Sequence, residues 1–328
     1  MSIESPTVTL MNPIYQSGGD ALKQVRFPPP PPWRSFASPA NDAPEPSADT
    51  SWRDRAAKHL ADDDQVNAIN LALHLHRPVL VTGSPGSGKT SLAYSVAHKL
   101  GLAKPLVWPI NSRASLSQGL YQYDAVGRLQ SKGGEGSETQ QIGNYLRLGP
   151  LGGALAASTA KAPCVLLIDE IDKGDIDLPN DLLHAFEEGR FEIPELRRLT
   201  ESDIWVHMPD GMPKQLIKNG IVQCEFFPIV IMTSNGERDF PPAFHRRCIR
   251  LEIDAPDADA LLKIISQRLS LESAERYRPL VVEFISNQKA DKVLATDQLL
   301  NAIQLVERGE LAADFTQLEQ LGLLRSLS

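Results

Sequence analysis

The stretch Pro78-Val-Leu-Val-Thr-Gly83-Ser84-Pro85-Gly86-Ser87-Gly88-Lys89-Thr90-Ser91 decides how the rest of the chain is read. Pro78 to Val81 is a short apolar run of strand type, and Ser91 to Leu100 reads as a helix. Between them, Gly83 to Thr90 fits GxxxxGK[ST] in full. The glycines let backbone N–H groups approach phosphate oxygens, and the helix N-terminus adds partial positive charge. Residues Gly83, Ser84, Pro85, Gly86, Ser87, Gly88, Lys89, Thr90 and Ser91 are therefore the expected phosphate cradle. Lys89 is expected to reach the β- and γ-phosphates, and the Thr90 hydroxyl to ligate Mg²⁺. A glycine-rich turn of purely structural use gives no reason for Lys89. No residue here identifies the base, so ATP and GTP both remain open.

Val165-Leu-Leu-Ile-Asp169-Glu170 supplies the second half of such a site. Four apolar residues predict a strand beside the P-loop strand, with Asp169 emerging at its carboxyl end to hold Mg²⁺ directly or through water. Glu170 is placed to orient and deprotonate an attacking water, since in-line hydrolysis needs a base opposite the leaving phosphate. Asp172 reads as a surface or interface charge. Pro228 to Met232 is a further continuous apolar run, followed by Thr233-Ser234-Asn235, and the Asn235 amide is the next candidate. It suits a hydrogen bond to the γ-phosphate or the lytic water, while a turn-forming Asn before Gly236 is the structural alternative. Arg246 and Arg247 follow in Pro241-Pro-Ala-Phe-His-Arg-Arg-Cys248, at the distance where an arginine finger would sit. Such a finger stabilises charge on a transferring phosphoryl group, commonly from a neighbouring subunit.

Around these motifs the pattern alternates. Gln65 to Leu75 reads as a helix with Val66, Ile69, Asn70 and Leu73 sharing a side, and Asp62 to Asp64 suit its N-terminus better than a metal site. Leu106 to Ile110 looks like a strand. Continuous apolar runs mark strands buried on both faces of a parallel sheet, and strands alternating with helices give an α/β sandwich. After Pro256 no strand pattern remains; Ala258–Leu269, Ala274–Ser286, Thr296–Arg308 and Phe315–Leu324 read as four amphipathic helices. The expected organisation is a proline-rich disordered arm (1–52), an α/β nucleotide-binding core (53–255) and a small all-α helical lid (256–328). Ten of the 25 prolines fall in the first fifty residues, including Pro28 to Pro32. A stiff tether or a polyproline ligand fits that arm.

The order of P-loop, Asp-Glu strand, Asn strand and Arg-Arg, then a helical lid, resembles the AAA+ ATPases. Within them, Gly149-Pro150-Leu151, Ile168-Asp-Glu-Ile-Asp-Lys173 and Leu182-Leu-His-Ala-Phe186-Glu187-Glu188-Gly-Arg-Phe191 are similar to segments of the MoxR branch, and the likeness covers about 60–328. The resemblance implies Walker A, Walker B and sensor-1 roles for Lys89, Thr90, Asp169, Glu170 and Asn235, with Arg247 favoured over Arg246 as finger. It implies an oligomeric ring, hexameric by the family's habit, that uses ATP and Mg²⁺ to remodel protein clients, often with a von Willebrand A-domain protein encoded alongside. The branch's lid arginine has no counterpart: Leu294-Ala-Thr-Asp-Gln298 stands in its place. Two insertions look family-like. Asn111–Leu148 carries Tyr121, Tyr123 and the glycine-rich Gly133–Gly136, the tyrosines suited to core packing or to gripping a polypeptide. Glu192–Glu225 holds a hairpin signal at Ile204 to Gly211.

Composition narrows the rest. The 33 basic against 41 acidic residues, net charge −8, disfavour a chain-wide nucleic-acid face. Cys164, Cys224 and Cys248 are far apart, with no CxxC, which argues against a disulfide framework or zinc ribbon. His74 and His76 have no third ligand candidate nearby. No apolar run approaches the ~20 residues of a membrane helix, and no secretory signal is visible. The expectation is a soluble cytoplasmic protein. A nucleic-acid motor or loader subunit, and a scaffold in which ATP only drives assembly, are the alternative functions.

Overall fold

Eleven strands carry the architecture of this computed structural model, which describes residues 51–57, 59, 61–130, 142–199, 203–289 and 294–326. They are β1 (Val79–Thr82), β2 (Leu106–Pro109), β3 (Tyr121–Tyr123), β4 (Leu146–Leu148), β5 (Val165–Asp169) and β6 (Arg190–Glu192), then β7 (Asp203–Val206), β8 (Gln215–Lys218), β9 (Ile221–Gln223), β10 (Ile229–Ser234) and β11 (Ile249–Glu252). The proline-rich arm up to residue 50 and the Gly133–Gly136 stretch lie outside the described residues. Backbone packing forms two compact units. Residues 51–84 and 88–253 make an α/β unit, and residues 254–326, with which Pro85–Ser87 group, make a helical one.

Five strands of the α/β unit form one parallel sheet in the order β11-β1-β10-β5-β2. Its side chains alternate between two cores, as a strand's period of two requires. Leu166, Ile168, Val230 and Met232 enter one, with Leu151 and Leu155 of helix Pro150–Ala157 and Leu182 of helix Leu178–Glu188. Val165, Leu167, Ile229 and Ile231 enter the other, with Ile69 of helix Asp63–Leu75 and Leu92 and Val96 of helix Lys89–Lys99. Each such side chain contributes about 1.5–3 kcal/mol of burial. Both faces are covered, which is why these strands read as unbroken apolar runs.

One expectation about this sheet is corrected. β5 does not lie beside the P-loop strand β1; β10 pairs with both and stands between them. The helix before β1 also turns a different face inward. Gln65, Ala68, Ile69 and Ala72 are buried, while Val66 is 44% exposed and Asn70 is exposed. Asp62 is its N-cap, accepting from the Gln65 amide at 2.8 Å. His76 ends it in a left-handed conformation with its ring edge on Phe226.

The two insertions are small antiparallel sheets. β3 pairs with β4, and the order β6-β9-β8-β7 extends the expected hairpin into a four-stranded antiparallel sheet with a Greek-key order. A bridge joins them: His207 donates its amide to the Leu146 carbonyl at 3.0 Å, and Leu148 donates to the His207 carbonyl at 2.8 Å. Tyr121 and Tyr123 are half-buried in packing roles. Tyr121 stacks on Phe191 and donates to Glu195 Oε2 at 2.9 Å, and the Tyr123 hydroxyl accepts from Arg128.

The helical unit contains helices Ala258–Arg268, Leu271–Arg276, Arg278–Lys289, Thr296–Glu307 and Phe315–Gln320 around Leu261, Phe284, Leu299, Ile303 and Leu318. The single helix expected over Ala274–Ser286 is two, broken at Tyr277 (φ −98°, ψ 12°). Pro279 is the cause: it has no N–H for the residue four earlier and its ring clashes with that carbonyl. Gln298 closes the start of the fourth helix, accepting from the Ala295 amide at 2.8 Å and donating to the Arg325 carbonyl at 2.9 Å. Among the described residues no helix is long and apolar enough to cross a membrane.

Candidate functional site

β1 ends at Thr82 and helix Lys89–Lys99 begins seven residues later, so Gly83 to Gly88 must turn the chain within a short reach. Gly86 (φ 80°) and Gly88 (φ 95°) do so in the left-handed region. A Cβ added at Gly88 would meet only the His59 ring, at 3.6 Å from Cε1 and 3.8 Å from Nδ1, ordinary contacts, so the backbone angle rather than crowding calls for glycine there. Lys89, 7% exposed, folds back over the turn and donates to the Gly83 and Ser84 carbonyls at 2.7 and 2.8 Å. Burial lowers its pKa from the ordinary lysine value; Asp172, Asp169 and Glu170 oppose that by favouring the charged ammonium. Ser87 Oγ is buried without a hydrogen-bond partner. An orphaned hydroxyl, an ammonium resting on backbone carbonyls and the start of an eleven-residue helix together fit a phosphate chain. Pro85 completes the turn, and Ser91 lies half-buried in the helix's first turn.

The carboxyl ends of β5 and β10 bring the remaining groups together. Asp169 Oδ1 accepts from Thr90 Oγ1 at 3.0 Å and from Thr233 Oγ1 at 2.7 Å. Thr233 Oγ1 also accepts from the Glu170 amide at 2.9 Å. Thr90 and Asp169, the expected Mg²⁺ ligands, are thus in direct contact, and a hydroxyl with a carboxylate is the hard oxygen set that this ion takes. Glu170 sits in the left-handed region (φ 58°, ψ 50°), where a non-glycine residue costs about 1–3 kcal/mol and persists only when its surroundings hold it. Its carboxylate pairs with Lys173 at 2.9 Å, each side chain a little over two-fifths exposed.

Asp172 is not a surface charge. It is 2% exposed, and its Oδ2 accepts from the amides of Asn235 (2.9 Å) and Glu237 (3.1 Å). Arg238 adds a bond to the Gly174 carbonyl at 2.8 Å. The turn after β5 therefore fixes the backbone of the loop that carries Asn235. The sequence had placed a charge here without a partner, because the amides it serves lie more than sixty residues away. Hydrogen bonds to a charged group are worth about 1.5–3 kcal/mol each, so Asp172→Ala is expected to lower unfolding stability by roughly 2–4 kcal/mol. Asp172→Asn, which keeps an acceptor, should lose less. Urea denaturation compares them, and an Asp172→Ala midpoint equal to wild type would remove this role.

The arginines stand apart from that network. Arg246 is exposed, and its carbonyl accepts from Arg77. Arg247 pairs through Nε with Glu187 Oε1 at 2.5 Å and donates through Nη1 to the Ala243 carbonyl at 3.2 Å. The three cysteines are free thiols, and burial pushes Cys248 up to about 12, so it stays protonated. Thr233 is the site residue that sequence reasoning did not assign.

A family model for the ATPase family associated with various cellular activities (AAA) matches residues 79–255, just over half of the chain. The chain belongs to this AAA family. The match begins at β1 and runs past β11, so it contains the P-loop, Asp169, Glu170, Asn235 and both arginines. A search of the curated proteins finds no match. Among solved structures, the S. cerevisiae Hsp104–ADP complex aligns at 20% identity and TM-score 0.37, covering 67% of this chain and 38% of that one. A closed-state reconstruction of Hsp104 with ATPγS and FITC-casein aligns at 19% and 0.36, covering 67% and 38%. C. elegans PCH-2 aligns at 19% and 0.28, covering 66% and 44%. The chain spans about two-fifths of the length of the structures it matches.

Proposed function

We propose that this AAA protein is a MoxR-like ATPase that binds and hydrolyses ATP with Mg²⁺ in an oligomeric, hexameric ring and remodels protein partners, a von Willebrand A-domain protein among the candidates. The observation that carries the reading is the contact of Thr90 and Thr233 with one oxygen of Asp169, with Glu170 hung from the same Thr233 hydroxyl. In this scheme residues 53–255 are the catalytic core, 256–328 the lid and 1–52 an arm for tethering or recruitment.

Lys89 would leave the Gly83 and Ser84 carbonyls for phosphate oxygens, exchanging two neutral acceptors for charged ones. The P-loop amides and Ser87 would hold the remaining phosphate oxygens. Thr90 and Asp169 would hold Mg²⁺, which when bound neutralises charge on the phosphates. Glu170 would take the proton of the attacking water, after release from Lys173; an exposed pair of this kind is worth about 0–1 kcal/mol, so that release is cheap. Asn235, its backbone fixed by Asp172, would orient the water or the γ-phosphate. Arg247 would act on a neighbouring subunit's nucleotide. The Gly149–Leu151 and Ile168–Lys173 segments support the MoxR assignment, and the acidic net charge supports a protein client over DNA.

Phosphate release from MgATP by the full chain, alone and with an unfolded protein, a von Willebrand A-domain protein or duplex DNA, tests the reading. Turnover raised by protein and not by DNA is expected. Stimulation by DNA alone would point to a nucleic-acid motor, and binding without turnover to an assembly scaffold.

A further inference from the structure

Thr233 has a side chain 1% exposed at the end of a strand whose six residues are all buried. A hydroxyl in such a place must spend both its proton and a lone pair, or leave buried polarity unsatisfied. It spends them on the last residue of the neighbouring strand and on the residue that follows it. The proton goes to Asp169 Oδ1 at 2.7 Å, and the lone pair receives the Glu170 amide at 2.9 Å. The register explains the meeting: Met232 of β10 lies opposite Ile168 of β5, so the next residue on each strand is Thr233 and Asp169.

Two consequences follow for the chemistry. Thr90 and Thr233 converge on the same oxygen of Asp169, so the orientation of that carboxylate is set from both sides. Glu170 meanwhile holds a left-handed backbone (φ 58°, ψ 50°) that a glutamate adopts only under constraint, and its amide is tied to Thr233. One hydroxyl thereby fixes the side chain of one residue and the backbone of the next. The direction in which Glu170 projects its carboxylate is set by that backbone.

We propose that Thr233 is the positioning residue of this site, holding the Asp169 carboxylate and the Glu170 backbone in the arrangement that hydrolysis uses. The inference rests on the hydrolysis proposed above. Thr233 touches neither water nor phosphate in this role; it acts through the two acidic residues.

Thr233→Val keeps the shape and removes the hydroxyl, and Thr233→Ser restores the hydroxyl while losing a methyl. Misplacement of a catalytic group by about 1 Å costs on the order of 100-fold. Thr233→Val should therefore lower kcat by roughly 10- to 100-fold, with KM for MgATP and nucleotide affinity close to wild type. Thr233→Ser should recover most of the rate although it packs less well. A packing role alone predicts the reverse order, with Val close to wild type and Ser the impaired variant, and that result would overturn the inference. A second readout does not depend on turnover: hydrogen exchange at the Glu170 amide should accelerate in Thr233→Val and stay slow in Thr233→Ser. Unchanged exchange in Thr233→Val would also overturn it. If the wild type binds MgATP and never turns it over, the proposed function fails, while the exchange rates still decide whether Thr233 holds Glu170.

Discussion

Replacing Glu170 by Gln is expected to leave MgATP binding intact and to lower steady-state hydrolysis by about 10²- to 10⁴-fold, the usual share of a positioned general base. The substitution keeps size and leaves the neighbouring bonds in place. The Glu170 amide still donates to Thr233, and Asp169 keeps both hydroxyl donors. What disappears is the capacity to accept a proton, together with the charge that pairs with Lys173 at 2.9 Å. Loss of that exposed pair is worth about 0–1 kcal/mol, far below the catalytic effect, so stability should hardly change. Titration with a fluorescent nucleotide, set beside phosphate release, separates the two outcomes. Turnover at the wild-type rate would remove Glu170 from its assigned role. If the proposed function holds, the variant also offers a way to capture a client in the ATP-bound state.

The second large effect concerns Arg247. An arginine finger contributes about 10³- to 10⁵-fold to turnover, so Arg247→Ala should be nearly inactive in a homogeneous preparation while still binding nucleotide. Its pair with Glu187 lies at the surface, with side chains 39% and 55% exposed, and therefore offers little resistance to release. Mixing provides the decisive arm. Lys89→Ala subunits lack the lysine proposed to bind phosphate and keep Arg247; Arg247→Ala subunits keep that lysine. A heterologous, head-to-tail contact in a ring can place an intact lysine opposite an intact arginine. Activity should then return when two inactive preparations are combined, and no recovery at any ratio would exclude a shared site. Arg246→Ala, with its exposed side chain, is expected to be the milder variant.

The division between what sequence showed and what it hid follows the range of the interactions. The P-loop, the strands of the parallel sheet and the helices flanking them were legible because glycine spacing and apolar runs are local signals. The position of Asp169 at the carboxyl end of its strand was legible for the same reason. The order of strands was not. Nothing in Val165 to Asp169 says whether its neighbour is β1 or β10, and assuming β1 hid the contact of Thr233 with Asp169, which are level only once β10 is inserted between them. Asp172 was misread on similar grounds, since an acidic residue after a strand looks solvated until the amides of Asn235 and Glu237 are folded against it. The face of helix Asp63–Leu75 was misjudged because small residues, Ala68 and Ala72, make the close approach, while the larger Val66 points outward. Tyr277 was read through as helix because the proline that stops it lies two residues downstream.

The joint between β4 and β7 changes how the two insertions behave under load. Through the His207 bonds to Leu146 and Leu148, the β3–β4 pair and the sheet β6-β9-β8-β7 share one run of backbone hydrogen bonds. At its far end that run reaches Arg190, one residue beyond the Gly189 C-cap of helix Leu178–Glu188, whose last turn carries Glu187, the partner of Arg247. The two insertions are therefore expected to move as one laddered body, and that body ends beside the helix that carries the ion-pair partner of Arg247.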